Sequence, residues 1–317
     1  MSANIRIAIL GPGKIAHRFV KGLKACTNAR LVAVCGRDQD KTAAFARQYG
    51  VERVLVGYET LYQQKDIDAV YIATPPFLHY QQVMDCLNTG FHVICEKPFL
   101  LNELQIKKAF ALAYKKQLTL MEAMKSVFLP ATLTAKAWIK EGRIGELRLI
   151  EASYSYKSPY EHSHWVFDKS KGGGGMFDVG VYAMAYANTL VNSPLAEIKH
   201  LSFLNELGSD DFSQFLVRYQ GGVIASLRGG IGLTTENKAM VYGTKGYLEV
   251  PDYWKANTFR LFDNNKTLVE QWQIDQPTEF KYQIQAFVDA INRKQTEVYP
   301  MDQAASLQLM QCLSEVG

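Results

Sequence analysis

A glycine turn near the start of the chain constrains the fold more than any other feature. The sequence GPGKIA, residues 11–16, follows directly on the apolar run 5–10 and opens a helix-like stretch. In a G-x-G-x-x-A turn the first glycine permits a tight bend, the second lets a pyrophosphate approach the backbone, and the small last residue allows close helix–strand packing. A purely structural turn can carry the same glycines, but the strand–turn–helix order favours dinucleotide binding. The predicted contacts are Gly11, Gly13, Lys14, Ile15 and Ala16.

Short apolar runs alternate with longer helix-like segments as far as about residue 121. Runs of this kind, bounded by polar or turn residues, are typical of strands buried on both faces. The predicted strands are residues 5–10, 31–35, 69–72, 93–95 and 119–121, with helices that include 40–49 and 80–88. The alternation implies right-handed βαβ crossovers. We therefore expect residues 1–121 to form an α/β dinucleotide-binding Rossmann domain with a doubly wound parallel sheet.

The pattern changes after a further helix-like segment, residues 131–141. Strand-like segments now follow one another, and turn residues at 220–222 and 263–266 separate neighbours at hairpin distance. The predicted strands are 146–156, 197–204, 212–219, 223–228, 240–242, 247–250, 258–262 and 268–274, followed by helices 280–292 and 302–315. A run of strands after βα units indicates a second domain of the α+β class, residues 122–317, with a mainly antiparallel sheet.

Charge and composition exclude several classes of protein. The 317 residues contain 35 Lys and Arg against 31 Asp and Glu, and this small, evenly spread excess does not favour nucleic acid as a partner. No apolar run approaches the ~18 residues of a membrane span, so no membrane partner is expected. Five scattered cysteines without a Cys-x-x-Cys pair indicate reduced core residues. The first residues lack the apolar region of a signal peptide, so we expect a cytoplasmic protein.

The end of the second predicted strand bears on which nicotinamide cofactor is bound. Sites that prefer NAD place a carboxylate there to bind the ribose 2′-hydroxyl. Here Gly36 leaves room at that position, and Arg37 offers a planar cation to a 2′-phosphate or an adenine ring. Alternatively, Arg37 is a solvated loop residue and Asp38 supplies the ribose contact. The sequence favours NADP, with NAD as the alternative.

A proline-containing loop follows the strand 69–72, at the carboxyl edge of the sheet where ligands bind in open α/β folds. Thr74 and Pro75 are predicted to form one wall for the nicotinamide, although a plain connector would also explain the prolines. His79, just beyond, is either a hydrogen-bonding residue at a helix entry or a contact to the cofactor's ribose.

A charged pair, Glu96 and Lys97, follows the strand 93–95. An ammonium beside a bound nicotinamide can hydrogen-bond the substrate oxygen that gains or loses a proton as hydride moves. We therefore predict that Glu96 and Lys97 contact the cofactor and that Lys97 is catalytic. The alternative is an ordinary surface ion pair.

Three parts of the chain together resemble the glucose–fructose oxidoreductase, inositol dehydrogenase and rhizopine-catabolism (Gfo/Idh/MocA) family: residues 11–16, residues 90–98 and the later sheet domain. Residues 121–123 and 173–182 are also similar to a narrower branch. That branch includes dimeric dihydrodiol dehydrogenase, also an NADP-linked D-xylose dehydrogenase, and glucose–fructose oxidoreductase. The resemblance implies a Rossmann domain plus an open-faced antiparallel sheet for substrate binding and dimerisation. A homodimer or higher homo-oligomer is the expected assembly.

The resemblance also implies a catalytic role for the glycine-rich segment 172–182. Many family members have histidine where Tyr182 stands, and the narrower branch has tyrosine, as here. A phenol ionises only near a pH of about 10, but an adjacent ammonium favours its ionised form. We predict that Lys97 activates Tyr182 for proton transfer. Asp178, four residues earlier on the same predicted helix face, would orient Lys97 or bind a substrate hydroxyl. A helix cap at 178 and a buried aromatic at 182 are the structural alternatives.

Residues 125 and 127 depart from the narrower branch. Relatives in that branch commonly have an aromatic residue where Lys125 stands and arginine where Val127 stands. An ammonium in place of a stacking surface suits hydroxyls or anions, so Lys125 is predicted to line the pocket for a sugar-like substrate, unless it points into solvent. Trp165, in an aromatic loop, suits stacking on a sugar ring. His162 and His164 lack a third ligand at metal-binding spacing, so we expect no metal.

These features predict an NAD(P)-dependent oxidoreductase that transfers hydride between the nicotinamide and a sugar or other polyhydroxylated small molecule, interconverting an alcohol and a carbonyl. Two rivals remain open. A non-catalytic NAD(P)-binding sensor would bind the cofactor without turnover. An NAD-assisted glycoside hydrolase would oxidise and reduce a tightly held cofactor within each cycle and release sugar from a glycoside.

Overall fold

The computed structural model describes residues 4–161 and 163–315. The chain forms two compact units, each with its own sheet. The first contains the chain up to Ala123 and the later segment Pro277–Gln303, and the second contains Met124–Gln276 and the segment from Ala304 onward. Across the described residues, none of the helices is both long and apolar enough to cross a bilayer.

The first unit is built on a six-stranded parallel sheet. Its strands are β1 Ile5–Leu10, β2 Ala29–Gly36, β3 Arg53–Val56, β4 Ala69–Ile72, β5 His92–Glu96 and β6 Leu120–Ala123. They lie in the order β3-β2-β1-β4-β5-β6. The strand order reverses between β1 and β4, and open α/β sheets bind ligands at such a point, beyond the carboxyl ends of the strands. The predicted doubly wound α/β domain is confirmed.

Helices connect these strands, and two of them end at the glycines expected from the sequence. They are α1 Lys14–Lys24, α2 Gln39–Tyr49, α3 Tyr58–Tyr62, α4 Pro76–Thr89 and α5 Glu103–Lys116. Gly50 after α2 and Gly90 after α4 have φ angles of 70° and 103°, in the left-handed region that glycine enters without strain. Apolar contacts hold helix to sheet: Phe19 of α1 stacks on Tyr71 of β4, with ring centroids 3.7 Å apart.

The second unit is built on an eight-stranded, mainly antiparallel sheet. Its strands are β7 Leu147–Ser155, β8 Leu195–Leu204, β9 Asp210–Tyr219, β10 Ile224–Gly230, β11 Lys238–Gly243, β12 Gly246–Pro251, β13 Thr258–Asp263 and β14 Leu268–Gln273. Their order is β14-β13-β12-β11-β7-β10-β9-β8, and β7 pairs in parallel with β10. This sheet confirms the predicted α+β class of the second domain.

One face of this second sheet is covered and the other is open. Helix α7, Val181–Val191, packs against β7 and β10, and α6, Pro130–Lys140, packs against α7. Burial alternates along β9 as expected for a sheet covered on one side: Phe215 and Val217 are buried, whereas Leu216 is 53% exposed. The covered face therefore carries the core of this unit.

The division of the chain differs from the predicted 1–121 and 122–317. Helix α8, Lys281–Asn292, belongs to the first unit, and the chain re-enters the second unit with α9, Gln303–Ser314. Helices α1 and α8 touch closely, since a Cβ at Gly22 would lie 2.6 Å from the Cβ of Phe280. The second domain is therefore discontinuous in sequence. Local sequence cannot show this, because the partner face for α8 lies more than 250 residues earlier in the chain.

Candidate active site

The glycine turn after β1 has the close backbone approach that a dinucleotide site requires. Gly11 adopts a φ of +101°, and a Cβ there would lie 2.9 Å from the carbonyl group of Ala73. Only glycine fits this position, because the turn passes directly over the loop that follows β4.

The start of α1 fits an anion. Gly13 is the N-cap and has no side chain with which to cap the helix, and α1 has no acidic residue in its first turn. Lys14 is exposed there, Ile15 is half-buried, and Ala16 is fully buried, as close helix–strand packing demands. The first N–H groups of α1 are therefore suited to a pyrophosphate.

The end of β2 packs closely against α2. A Cβ at Gly36 would lie 2.4 Å from Oγ1 of Thr42, so glycine is needed here for packing against α2. Asp38 caps α2, and its Oδ1 accepts the N–H of Lys41 at 3.0 Å, which lowers the pKa of the carboxyl. Arg37 is exposed. Asp38 therefore serves the helix, and Arg37 is accessible to a ligand.

His79 is fully buried in α4 and connects two loops. Its Nε2 lies 2.8 Å from the carbonyl oxygen of Thr74, and its Nδ1 lies 3.0 Å from those of Pro98 and Phe99. Burial lowers the pKa of the imidazole, which favours the neutral ring. Both ring nitrogens of His79 lie against main-chain carbonyl oxygens. These contacts match the first of the two predicted roles, a hydrogen-bonding residue at the helix entry, rather than a contact to the ribose. Thr74 and the N-cap Pro75 lie half-buried in the first of these loops.

Glu96 ends β5 and fixes the backbone from which Lys97 projects. One carboxylate oxygen accepts the phenol proton of Tyr71 at 2.6 Å, and the other accepts the N–H of Lys97 at 3.2 Å. The Lys97 side chain is half-buried, and its peptide bond to Pro98 is cis. The buried Glu96 therefore stabilises the end of β5. Lys97 follows it at the carboxyl edge of the sheet.

The segment that carries Asp178 and Tyr182 begins as a π-helical turn, Met176–Gly180, and continues as α7. The regular helix that the sequence pattern predicts here is replaced in its first turn by the wider i→i+5 hydrogen bonding of a π-helix. Asp178 is half-buried, and its Oδ2 accepts the phenol proton of Tyr156 at 2.8 Å. Burial, and then the nearby carboxylate, raise the pKa of Tyr156, so this phenol remains a donor.

Glycines and a buried carboxylate hold the π-turn against β10. A Cβ at Gly229 would lie 2.3 Å from the Cα of Gly180, so the two backbones are in direct contact. Asp210 is buried, and its Oδ2 accepts the N–H of Met176 at 3.0 Å and the hydroxyl of Ser213 at 2.8 Å. Burial raises the pKa of Asp210 to about 7. These contacts set the position of Asp178.

Tyr182 is buried in the first turn of α7, with Lys125 against its ring. The Nζ atom of Lys125 lies 4.5 Å from the ring centroid and donates to the carbonyl of Trp254 at 2.6 Å. The indole of Trp254 stacks on Tyr154 of β7, with centroids 3.7 Å apart, and the Tyr154 and Tyr182 centroids are 5.9 Å apart. The alternative of a solvent-facing Lys125 is wrong, since this side chain is 2% exposed.

The aromatic loop shares an apolar cluster with the tyrosines of this site. Half-buried Trp165 packs, together with Tyr154 and Tyr156, against the cluster formed by Val166, Phe167, Val179 and Ile231. His164 stacks on Tyr160 with ring centroids 4.1 Å apart, and His162 lies outside the described residues. In the part of the chain that the structure describes, no three His, Cys, Asp or Glu side chains are grouped to hold a metal ion.

The first unit combines the strand order, glycine turn and anion-accepting helix start of a dinucleotide-binding domain. In the second unit, Lys125 lies over the ring of the buried Tyr182. Tyr182 is in helix α7, which directly follows the π-turn that carries Asp178. Together they define a nicotinamide-dependent oxidoreductase.

The chain belongs to the Gfo/Idh/MocA oxidoreductase family, as the sequence resemblance predicted. Residues 5–124 match the oxidoreductase family with an NAD-binding Rossmann fold, and residues 132–249 match the GFO/IDH/MocA C-terminal domain.

The known proteins to which this chain is similar include a dehydrogenase, a ketoreductase and an oxidoreductase. Trans-1,2-dihydrobenzene-1,2-diol dehydrogenase of Xenopus tropicalis is 31% identical over 79% of this chain and 76% of that protein. A variant of a 3-ketoreductase from Actinomadura kijaniata, solved with TDP-benzene and NADP, has a TM-score of 0.88 at 25% identity, covering 98% and 96% of the two chains. An aldose–aldose oxidoreductase from Caulobacter crescentus, complexed with glycerol, shares the fold with a TM-score of 0.89 at 21% identity, covering 99% and 96%.

Sequence reasoning missed three residues that shape the site: Tyr156, Asp210 and Trp254. Tyr156 comes just after β7, Asp210 begins β9, and Trp254 lies in the turn after β12. None sits in a motif, and each reaches its partner only through sheet pairing or helix packing. A single aspartate or an aromatic-rich strand is a weak signal in a sequence, because residues of the same types also occur in hydrophobic cores that have no functional role.

Proposed function

We propose that this protein is an NADP-dependent dehydrogenase or reductase that transfers hydride between the nicotinamide and a CH–OH or carbonyl group of a sugar or other polyhydroxylated small molecule. The names of the similar proteins, a diol dehydrogenase, a ketoreductase and an aldose–aldose oxidoreductase, support this chemistry. The observation that carries the proposal is the buried Tyr182 with the ammonium of Lys125 over its ring, in the helix that follows the Asp178 turn.

We assign the cofactor to the first unit. The turn at residues 11–16 would hold the pyrophosphate, and Thr74 and Pro75 would border the nicotinamide, which supplies or accepts the hydride when bound. Arg37 would pair with a 2′-phosphate. Asp38 is engaged in capping α2, and this favours NADP over NAD. The contacts of Glu96 and His79 give both residues a supporting role, since each fixes the segment around Lys97.

We assign the proton transfer to Lys97 and Tyr182. In the reducing direction the substrate's carbonyl carbon receives hydride, and its oxygen receives the phenol proton of Tyr182 while the Lys97 ammonium hydrogen-bonds the same oxygen. In the oxidising direction the phenolate takes the hydroxyl proton. Asp178, held by Tyr156, would bind a neighbouring substrate hydroxyl.

We assign Trp165 to the substrate end of the site, and Lys125 to the same end through its contact with Tyr182. Trp165 would stack on the apolar face of a sugar ring, and Lys125 adds positive charge beside Tyr182. The charge of Lys125, at a position where an aromatic side chain would offer a stacking surface, supports a polyhydroxylated substrate over a purely aromatic one.

We further propose a cytoplasmic homodimer formed through the open face of the second sheet. Leu201 and Phe203 of β8 are 83% and 70% exposed, and Leu216 of the paired strand β9 lies on the same face. A contiguous exposed apolar patch marks an interaction surface. Light scattering should give twice the monomer mass, and a Phe203→Lys, Leu216→Lys variant should give a monomer.

Steady-state kinetics test the proposed activity. Purified protein is mixed with NADP⁺ and a panel of sugars, and NADPH formation is followed by absorbance. We expect turnover with at least one sugar and a loss of about 10²–10⁴-fold in kcat for Tyr182→Phe, because general acid–base groups contribute factors of this size. Cofactor binding without reduction would support the sensor. Release of sugar from a glycoside without net NADPH would support the hydrolase.

A further inference from the structure

Lys125 is an unusual residue in the second unit because its ammonium-bearing side chain is almost completely buried. It follows Met124 and begins the short 3₁₀ helix Lys125–Phe128. The side chain is 2% exposed. A buried charge is costly unless its donors are satisfied, so an ammonium that remains here must make specific contacts.

The contacts of Lys125 lead directly to Tyr182. Its Nζ donates to the carbonyl of Trp254 at 2.6 Å and lies 4.5 Å from the centroid of the Tyr182 ring. Trp254 in turn stacks on Tyr154, whose ring neighbours that of Tyr182. Lys125 thus closes a ring of contacts that holds the phenol in place from two sides.

The charges around the Tyr182 ring show what the ammonium contributes. Within the second unit the ring lies beside that of Tyr154 of β7, with centroids 5.9 Å apart, and Tyr253 of the turn after β12 interacts with it electrostatically. Burial raises the pKa of Tyr253 well above its ordinary value, so this phenol stays neutral. Asp178, in the turn before α7, pairs with Tyr156. Lys125 therefore brings positive charge to the Tyr182 ring from outside its own helix, and a neighbouring ammonium favours the ionised form of an acid.

We propose that Lys125 is a positioning residue for Tyr182: it fixes the ring and stabilises the phenolate that forms when Tyr182 gives its proton to the substrate's carbonyl oxygen. This inference rests on the proposed function. The reaction step is the one proposed above. The carbonyl carbon gains hydride and its oxygen gains the phenol proton, so a negative charge is left on Tyr182, next to the ammonium of Lys125.

Kinetics separate this role from direct binding of substrate. With NADP⁺ and either D-xylose or D-glucose, Lys125→Met should lower kcat by about tenfold or more while KM changes little, because each pH unit of lost phenolate stabilisation is about tenfold in the ionised fraction. Lys125→Arg should recover part of the loss, since a guanidinium keeps the charge and the donors. A rise in KM with unchanged kcat would assign Lys125 to the substrate instead and overturn the proposal.

A matched control is available in the same unit. Lys255 lies over the ring of Trp254 at 5.6 Å, but it is half-exposed and paired with Asp252. Lys255→Met removes a charge beside the same tryptophan without touching Tyr182, so kcat should stay near that of the wild type. Lys125→Met removes a buried charge, which favours the folded state, but it also takes the donor from the carbonyl of Trp254, which disfavours it, so the two effects should largely offset and the Tm should change little. A fall in Tm without a fall in kcat would make Lys125 merely structural.

An NMR measurement tests the effect of Lys125 on Tyr182 without any turnover. Protein labelled with ¹³Cζ-tyrosine gives one signal per phenol, and the signal lost in Tyr182→Phe identifies residue 182. In Lys125→Met this signal should move, and its ionisation midpoint should rise by about one pH unit or more; in Lys255→Met it should not. An unmoved signal in Lys125→Met overturns the proposal. If Tyr182→Phe turns over normally, the proposed acid–base role fails, but this measurement still decides whether Lys125 acts on Tyr182.

Discussion

The phenol oxygen of Tyr156 lies 2.8 Å from Oδ2 of Asp178. This bond ties the end of β7 to the π-turn Met176–Gly180 across 22 positions of sequence. It orients the carboxylate of Asp178 through a contact from another element, which helix periodicity alone would not impose. The aspartate proposed to bind a substrate hydroxyl is therefore oriented by a neighbouring sheet.

Removing this hydrogen bond should weaken catalysis. Tyr156→Phe keeps the ring in the apolar cluster and deletes one donor to a carboxylate, an interaction worth about 1.5–3 kcal/mol. We expect kcat/KM to fall by about ten- to a hundredfold. Tyr114→Phe, at a phenol that is 69% exposed on α5, serves as the control and should behave as the wild type. Equal kcat/KM values for Tyr156→Phe and the control would remove the assigned role of Tyr156.

The stability of the protein should depend on pH through Asp210. Its native pKa is about 7 against an ordinary 3.8, so the folded protein holds this proton where the unfolded chain has lost it. This contribution is present at low pH and is lost as the pH rises from about 4 to about 7. Asp210→Asn keeps an acceptor for the N–H of Met176 but cannot ionise. Relative to the wild type, its Tm should therefore be higher at about pH 8 than at about pH 5. A Tm difference that is the same at both pH values would contradict this prediction.

The close approach of the glycine-rich segment to Asp210 predicts an unusually severe glycine substitution. Gly174 has a φ of +124°, and a Cβ there would lie 2.4 Å from Oδ1 of Asp210. Gly174→Ala should lower the free energy of unfolding by about 2–5 kcal/mol, the sum of backbone strain and overpacking. The matched control is Gly221→Ala, where φ is +96° but no described atom lies within 4 Å of the added Cβ. It should lose only the strain, about 1–2 kcal/mol. Similar losses in urea unfolding would show that the contact with Asp210 is unimportant.

Cofactor preference should change with the charge at residue 37. Arg37 is exposed beside a capping aspartate, so Arg37→Asp replaces an accessible cation with an anion and leaves the cap of α2 in place. KM for NADP⁺ should rise by about ten- to a hundredfold, whereas KM for NAD⁺ should stay the same or fall, because a carboxylate repels the 2′-phosphate and suits the 2′-hydroxyl. Arg47→Asp, at an exposed position of α2, controls for net charge. Unchanged NADP⁺ affinity in Arg37→Asp would remove the argument for NADP.

Much of the fold is readable in the sequence because its signals are local. The β1 strand, the glycine turn and the start of α1 follow one another within about 20 residues, and Gly50 and Gly90 mark helix ends by their conformation alone. Short elements with little periodicity, β3 and α3, were not among the predicted segments. The packing of α8 on the first unit could not be predicted either, because its buried face matches a helix at the other end of the chain.

The candidate site divides in the same way. The sequence alone predicted the residues to which we assign the chemistry, Lys97 after a buried strand and Asp178 and Tyr182 after a run of glycines, because residue type, order along the chain and the family resemblance single them out. Only the tertiary structure decided how they are held: the π-turn, the Tyr156 bond to Asp178 and the burial of Lys125 against Tyr182. The reason is physical. A hydrogen bond or an ion over an aromatic ring depends on distances of a few ångströms between side chains, and sheet pairing and helix packing set those distances between segments far apart in sequence.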